Sequence, residues 1–129
     1  MKVGIMQPYI FPYIGYFQLI NAVDKFVIYD DVNFINKGWI NRNRMLNNGK
    51  DSLFSIPLKE ASQNKLINEI EINWDNAWKS KFLKTLEQCY KKAPFYQEAL
   101  SIIEQTFNID NEPISKVIEP PGGPKCTWR

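Results

Sequence analysis

The chain has 129 residues, the size of one domain, and 44% hydrophobic with 23% charged residues is a globular composition. Its net charge of +2 argues against nucleic-acid binding driven by overall charge. The absence of histidine from the sequence excludes an imidazole base, a Ser-His-Asp or Cys-His catalytic arrangement and a histidine-containing zinc site.

The first thirty residues predict a βαβ unit. A short apolar run at residues 2–7 stops at Pro8 and predicts a buried first strand. A helix follows, because apolar residues recur every three positions and form a predicted buried stripe of Ile14, Phe17, Ile20 and Val23. Residues 26–29 predict a second strand that ends at Asp30-Asp31. A crossover of this length normally makes the two strands parallel.

The middle of the chain predicts further extended segments. Residues 32–52 are polar and rich in asparagine, with a turn signal at Asn48-Gly49. Residues 53–58 predict a third strand, with Pro57 near its end or at a sheet edge. Apolar residues then alternate with polar ones, which predicts a segment with one buried face formed by Ile70, Ile72 and Trp74.

The second half of the chain is predicted to be helical. One helix begins at Asp75 or Asn76, and its predicted inner face consists of Trp78, Phe82, Leu86 and either Cys89 or Tyr90. Pro94 suits the first turn of the next helix, whose predicted stripe consists of Phe95, Ala99, Ile102, Ile103 and either Thr106 or Phe107. Residues 114–118 predict the start of another helix.

These elements predict an α/β fold, with a small, mostly parallel sheet in two or three layers, a βαβ start and a helical C-terminal half. We predict one domain over residues 1–118. Residues 119–129 are rich in proline and glycine and predict a disordered tail.

The sequence also disfavours several partner classes. Cys89 and Cys126 do not form a Cys-x-x-Cys motif, and we expect Cys89 to be a small buried side chain. No segment reaches the roughly 18 apolar residues of a membrane span, and no signal-peptide pattern follows Met1. Neither GxGxxG nor a Walker motif is present in the sequence. We therefore predict a cytoplasmic protein with no metal, no cofactor, and neither nucleic-acid nor membrane partners.

Three polar clusters follow predicted strand ends, where the loops of open α/β sheets converge and bind ligands. The first cluster consists of Gln7 and the loop at residues 8–13, which includes Tyr13, and it ends at Gly15-Tyr16. Gly15 at a helix start would let a ligand approach the backbone, and Gln7 would need a polar partner at the end of a buried strand. The alternative for Tyr13 and Tyr16 is packing over the sheet.

The second cluster is the acidic pair Asp30-Asp31, whose carboxylates suit a sugar hydroxyl, a proton in transfer or Mg²⁺. Neighbouring residues of an extended segment point to opposite sides, so the two carboxylates should not share one role. The alternative is that one of them caps the following turn.

The third cluster is Trp39-Ile40-Asn41-Arg42-Asn43-Arg44, with Lys37 nearby. If this segment is extended, Arg42 and Arg44 lie on one face and suit a phosphate or carboxylate, while the asparagines offer donors and acceptors. The alternative is a solvated basic turn.

The order of these residues resembles the WbqC-like protein family. The residues that carry the resemblance, which extends over about residues 1–118, are Met6–Pro8, Phe11–Phe17, Leu19-Ile20, Asp24, Phe26-Val27, Tyr29–Val32, Phe34, Trp39–Arg44, Ile56–Leu58 and Tyr90–Tyr96. Family members are usually longer, so the chain resembles their N-terminal half. Many carry a histidine where this sequence has Met6, so a role for that histidine does not carry over.

The resemblance implies a role in bacterial surface-polysaccharide (O-antigen) biosynthesis, in a family suggested to include glycine or aminoacyl transferases acting on amino sugars. On this basis we expect an enzyme that transfers a glycyl or other small acyl group to a nucleotide-linked amino sugar, with Asp30 or Asp31 as the base. The alternative is a non-catalytic module that binds a sugar or a partner protein. The expected partner is a sugar or nucleotide-sugar, and homo-oligomerisation is left open.

Overall fold

The computed structural model describes residues 1–117. The predicted βαβ start is confirmed: β1 (Val3–Met6), α1 (Ile14–Ala22) and β2 (Lys25–Ile28) follow in order, and β1 pairs with β2 in parallel. The predicted tail at 119–129, with Cys126, and the last residue of the predicted domain at 118 lie outside the described residues.

Tyr16 of α1 packs on one face of the parallel pair. Its ring lies 5.4 Å from that of Phe26, centroid to centroid. Gly4 sits opposite Phe26 in the register, and a Cβ at Gly4 would lie 3.3 Å from the side chains of Phe26 and Val23. Side chains on the other face are exposed, including Val3 and Ile5, so the prediction of a buried first strand is wrong for that face.

The predicted stripe of α1 is also wrong, since Ile14 is 73% exposed and Phe17 is exposed as well. Three residues advance a helix by about 300°, so a strict three-residue spacing drifts by about 60° per step. Ile20 therefore lies about 120° from Ile14 around the helix, and Val23 follows the end of α1 with extended backbone, so the four residues cannot share one face. The residue of α1 that is buried is Tyr16.

The third predicted strand belongs to an antiparallel hairpin and not to the parallel sheet. β3 (Arg42–Asn47) pairs with β4 (Lys50–Ser55), with Arg42 opposite Ser55 and Asn47 opposite Lys50. The predicted turn is confirmed: Asn48 and Gly49 have φ of 50° and 76°, and a two-residue hairpin loop of this kind favours positive φ at both positions. The described residues thus hold two separate two-stranded sheets, which corrects the prediction of one mostly parallel sheet.

The helical second half is confirmed. A 3-10 turn (Ile67–Glu69) precedes α2 (Asn76–Tyr90), α3 (Tyr96–Phe107) and the short α4 (Ile114–Val117). Asp75 caps α2, because the Ala77 N–H donates to its carboxylate at 3.0 Å.

The predicted stripe of α3 is right at its C-terminal end and wrong nearer the start of the helix. Ile103, Thr106 and Phe107 are buried or half-buried, but Phe95 is 75% exposed and Ile102 is 51% exposed. Tyr96 and Leu100 take the inner positions in place of Phe95 and Ala99. Residues one apart lie about 100° apart around a helix, and both sets have helical spacing. Contacts with the rest of the chain decide between them, which spacing alone cannot do.

The core consists of two connected clusters. The first is largely isoleucine and consists of Ile10, Phe34, Ile40, Ile56, Ile67, Ile70, Ile72, Ile114 and Val117. The second consists of Met45, Phe82, Leu86, Tyr96 and Phe107. Phe11, Trp74 and Trp78 pack against both. The loop that follows β1 is therefore fixed by the core that the hairpin and the helices share.

Candidate functional site

The loop after β1 is anchored to the segment that leads into β3. Pro8 and Ile10 are buried, and the Ile10 N–H donates to the Ile40 carbonyl at 3.1 Å. Phe11 then adopts a φ of 46°, a left-handed conformation that a bulky residue rarely takes. The first and third predicted clusters meet at this point.

Asn43 joins the two clusters through its side chain. Its Nδ2 donates to the carbonyls of Ile10 at 2.9 Å and Phe11 at 2.7 Å, and its Oδ1 accepts from the Arg44 N–H at 2.7 Å. Asn41 acts similarly, donating to the Ile56 carbonyl at 2.9 Å. Both predicted substrate-binding amides therefore hold the fold of the site.

Arg42 and Arg44 lie on the same face of β3, as an extended segment predicts. Their guanidinium carbons lie 5.8 Å and 5.5 Å from the ring centroid of Trp39, which is 47% exposed. Arg44 also pairs with Asp51 across the hairpin at 2.8 Å. The guanidinium of Arg42 donates to no acceptor within residues 1–117. We call these three residues, Trp39, Arg42 and Arg44, the arginine–tryptophan cluster.

A pocket of about 300 Å³ lies beside this cluster. Its walls come from the loop, the hairpin, α2 and α3, and consist of Phe11, Tyr13, Asn43, Arg44, Met45, Phe54, Phe82, Leu86, Tyr90 and Ile103. Strand alternation directs the Arg44 side chain to the opposite face, toward Trp39, so Arg44 borders the pocket with its backbone. We call this the aromatic pocket.

The acidic pair lies elsewhere, at the end of β2. The Asp30 carbonyl accepts from the Asn68 N–H at 3.1 Å, so the chain here runs beside the 3-10 turn. Asp30 is half-buried and Asp31 is exposed, consistent with opposite orientations. Neither residue lines the aromatic pocket, and neither carboxylate has an ion-pair partner in the described part of the chain.

Gln7 follows β1 at the end of the sheet where β2 leads into the acidic pair, because Tyr29, the residue between β2 and Asp30, donates its N–H to the Met6 carbonyl at 2.8 Å. The Gln7 side chain is exposed. Its carbonyl accepts from the Tyr16 hydroxyl at 2.9 Å, and burial raises the pKa of Tyr16 to about 12. Tyr16 is thus held in the fold, which matches the packing alternative.

Gly15 and Lys37 also have clear positions. A Cβ at Gly15 would clash with the ring of Tyr13, so the space above this glycine is taken by a protein side chain. Lys37 is exposed at a φ of 62°, two residues before Trp39.

Within residues 1–117, no group of three Cys, Asp or Glu side chains could hold a metal ion, and no helix is long and apolar enough to span a bilayer.

A family model described as the WbqC-like protein family matches residues 7–120. The chain belongs to this family. The uncharacterised protein Rv1507c of Mycobacterium tuberculosis is 33% identical over 98 residues, which are 75% of this chain and 42% of that relative. This WbqC-like chain therefore spans less than half the length of that relative. No solved structure matches it significantly.

The family match includes every predicted site residue of this WbqC-like chain, from Gln7 to Arg44. It also includes pocket residues that the sequence does not indicate as site residues, namely Phe54, Phe82, Leu86, Tyr90 and Ile103. Their spacing predicts core positions, and nothing in it indicates that they leave a cavity against the loop. The sequence does indicate Trp39, because this residue begins the segment that contains the two arginines.

Proposed function

We propose that this WbqC-like chain acts in bacterial surface-polysaccharide (O-antigen) biosynthesis and binds a nucleotide-linked amino sugar. The observation that carries the proposal is the arginine–tryptophan cluster. Two guanidinium groups on one strand face suit the paired phosphates of such a substrate, because each offers planar, charge-assisted donors. An exposed indole beside them suits the apolar face of a sugar ring.

The proposed reaction is the transfer of a glycyl or other small acyl group to the sugar amine. The amine nitrogen attacks the carbonyl carbon of an activated acyl donor, the amide bond forms, and the donor's leaving group departs. A carboxylate of Asp30 or Asp31 takes the proton that the amine loses. The exposed amide of Gln7, at the same sheet edge, is available to orient the acceptor.

A second candidate is a non-catalytic module that binds a sugar and presents it to another enzyme. The position of the acidic pair favours it, because neither Asp30 nor Asp31 lines the aromatic pocket. The two candidates share the binding step and differ in the chemistry, so they need separate measurements.

Binding is tested by thermal shift with nucleotide-sugars, nucleotides and free amino acids. We expect stabilisation by nucleotide-sugars, and about tenfold weaker affinity in Arg42→Gln, since a charge-assisted contact is lost. Lys84→Gln, on the exposed face of α2, removes the same charge and should bind as the wild type does. Equal losses in both variants, or no stabilisation by any nucleotide-sugar, would contradict the binding site.

Chemistry is tested by mass spectrometry of an amino-sugar nucleotide incubated with activated acyl donors. Asp30→Asn and Asp31→Asn are compared with the wild type, and we expect one of them to lose at least tenfold in rate. Binding without any acyl transfer, together with concentration-dependent dimerisation, would favour the module.

A further inference from the structure

The walls of the aromatic pocket are suited to a planar ring. Phe11, Phe54 and Phe82 contribute aromatic surface, while Met45, Leu86 and Ile103 contribute aliphatic surface. Its volume of about 300 Å³ is at the lower end of the roughly 300–1,000 Å³ range of small-molecule sites. That size suits one ring system with its attached sugar better than a whole nucleotide-linked sugar.

Several polar groups beside the pocket lie along the outer edge of β3. The Leu46 N–H donates to the Tyr90 hydroxyl at 2.8 Å, and the Arg44 N–H donates to Asn43. These bonds identify Arg44 and Leu46 as residues whose backbone groups turn away from β4, so the Arg44 carbonyl faces the same edge.

The edge therefore combines a hydroxyl donor with a carbonyl acceptor. The Tyr90 hydroxyl has its oxygen engaged by Leu46 and retains its own proton for donation. No carboxylate lines the pocket, which argues against a cationic ligand. Neighbouring donor and acceptor groups are what the hydrogen-bonding edge of a nucleobase offers.

Arg44 connects the pocket to the arginine–tryptophan cluster. Its backbone borders the pocket, and its guanidinium lies over Trp39 on the other face of the same strand. A ring in the pocket and a phosphate at Arg44 would lie on the two sides of one residue. A nucleotide that occupied both positions would pass around the outer edge of β3.

We infer that the aromatic pocket is a nucleobase site, in which the base stacks on the phenylalanine rings and hydrogen bonds to Tyr90 and the β3 edge. The inference rests on the proposed function, since it assigns the base of the same nucleotide-linked sugar. It also assigns Tyr90, Phe54 and Ile103 to substrate binding, which the sequence does not.

Two reporters in one NMR titration separate the inference from the proposed function. The backbone amide of Leu46 reports on the pocket, and the indole N–H of Trp39 reports on the cluster. Nucleosides, with uridine, thymidine, guanosine and adenosine as probes, should shift Leu46 and leave Trp39 unchanged. Pyrophosphate should do the reverse, and a nucleoside diphosphate should shift both signals with at least tenfold higher affinity than the nucleoside.

Filling the pocket provides the variant test. Ile103→Trp should abolish the nucleoside response at Leu46 and preserve the pyrophosphate response at Trp39. Ile102→Trp is the matched control, because the neighbouring residue is exposed on the same helix, and it should keep both responses. Tyr90→Phe should weaken nucleoside binding about three- to tenfold through the loss of one hydrogen bond.

The outcomes are distinct. A pyrophosphate response without any nucleoside response at millimolar concentration overturns the inference and leaves the proposed function standing. Equal loss of nucleoside binding in Ile102→Trp and Ile103→Trp also overturns the inference. Absence of both responses overturns the proposed phosphate site and, with it, the base site.

Discussion

Asn43 donates to the carbonyl of Phe11 at 2.7 Å, across 32 positions of the chain. Phe11 holds a left-handed backbone conformation, with a φ of 46°, which costs of order 1–3 kcal/mol and persists only where contacts enforce it. The same amide binds the Ile10 carbonyl at 2.9 Å. Asn43 therefore sets the position of the loop relative to β3, and with it the mouth of the aromatic pocket.

We predict that Asn43→Ala lowers the free energy of unfolding by about 2–3 kcal/mol, because two carbonyls and one N–H lose a part-buried partner. Chemical denaturation measures this loss. Asn43→Asp should be similarly destabilised, since a carboxylate keeps the acceptor for Arg44 and loses both donated bonds. Asn36→Ala, at an exposed loop position, should change stability by less than about 0.5 kcal/mol. A similar effect at both asparagines would contradict this role.

The pKa of Tyr16 gives the protein a predictable response to alkali. Burial raises that pKa from 10.0 to about 12, so the folded state retains a proton that the unfolded chain loses first. The contribution of Tyr16 is complete below pH 10 and declines as the pH rises toward 12. We predict that the free energy of unfolding of the wild type falls by up to about 2 kcal/mol over this pH range because Tyr16 ionises, and that Tyr16→Phe does not show this decrease.

Denaturation at pH 8 and pH 11 tests this prediction. Tyr16→Phe should be about 1 kcal/mol less stable than the wild type at pH 8, because the bond to the Gln7 carbonyl is lost, and the difference should shrink or reverse at pH 11. Tyr29→Phe, at an exposed position, should parallel the wild type. A constant difference between Tyr16→Phe and the wild type at both pH values would refute the assignment.

The sequence predicts those features that depend on local chemistry. The βαβ order, the Asn48-Gly49 turn, the Asp75 cap and the shared face of Arg42 and Arg44 all follow from short-range rules. It does not predict which of two overlapping stripes on α3 is buried. That outcome depends on what lies against the helix, as the exposure of Phe95 shows.

The same limit applies to the site. The arginines are predicted because strand alternation places them together. The pairing of residues 42–47 with 50–55 is local, but the polar composition of residues 32–52 conceals the first of these two strands. The Tyr90–Leu46 bond joins residues 44 positions apart and has no sequence signal. The pocket therefore emerges only when α2, α3 and the hairpin are placed in three dimensions.

Gly15 and Tyr13 provide a test of why a glycine lies in the first turn of α1. A Cβ at position 15 would clash with the Tyr13 ring, which is exposed. Alanine is otherwise favoured in a helix by about 1 kcal/mol. We predict that Gly15→Ala is close to neutral in the wild type and stabilising by about 1 kcal/mol in a Tyr13→Ala background. A double-mutant cycle measures the coupling, and equal effects in both backgrounds would show that the tyrosine does not require the glycine.

The ion pair between Asp51 and Arg44 provides a second test of the arginine–tryptophan cluster. Its carboxylate pairs with Arg44 at 2.8 Å and competes with a phosphate for the same guanidinium. Both side chains are exposed, so the pair contributes little to stability, and we predict that Asp51→Asn changes the free energy of unfolding by less than about 0.5 kcal/mol.

Removing this competitor should strengthen pyrophosphate binding about two- to fivefold at low salt, and the gain should decrease as ionic strength rises. The indole N–H signal of Trp39 in an NMR titration measures the affinity. Glu71→Gln is the matched control, because it breaks an exposed pair with Lys59 at 3.1 Å away from the cluster. If Asp51→Asn binds pyrophosphate no more tightly than Glu71→Gln does, Arg44 does not hold the phosphate.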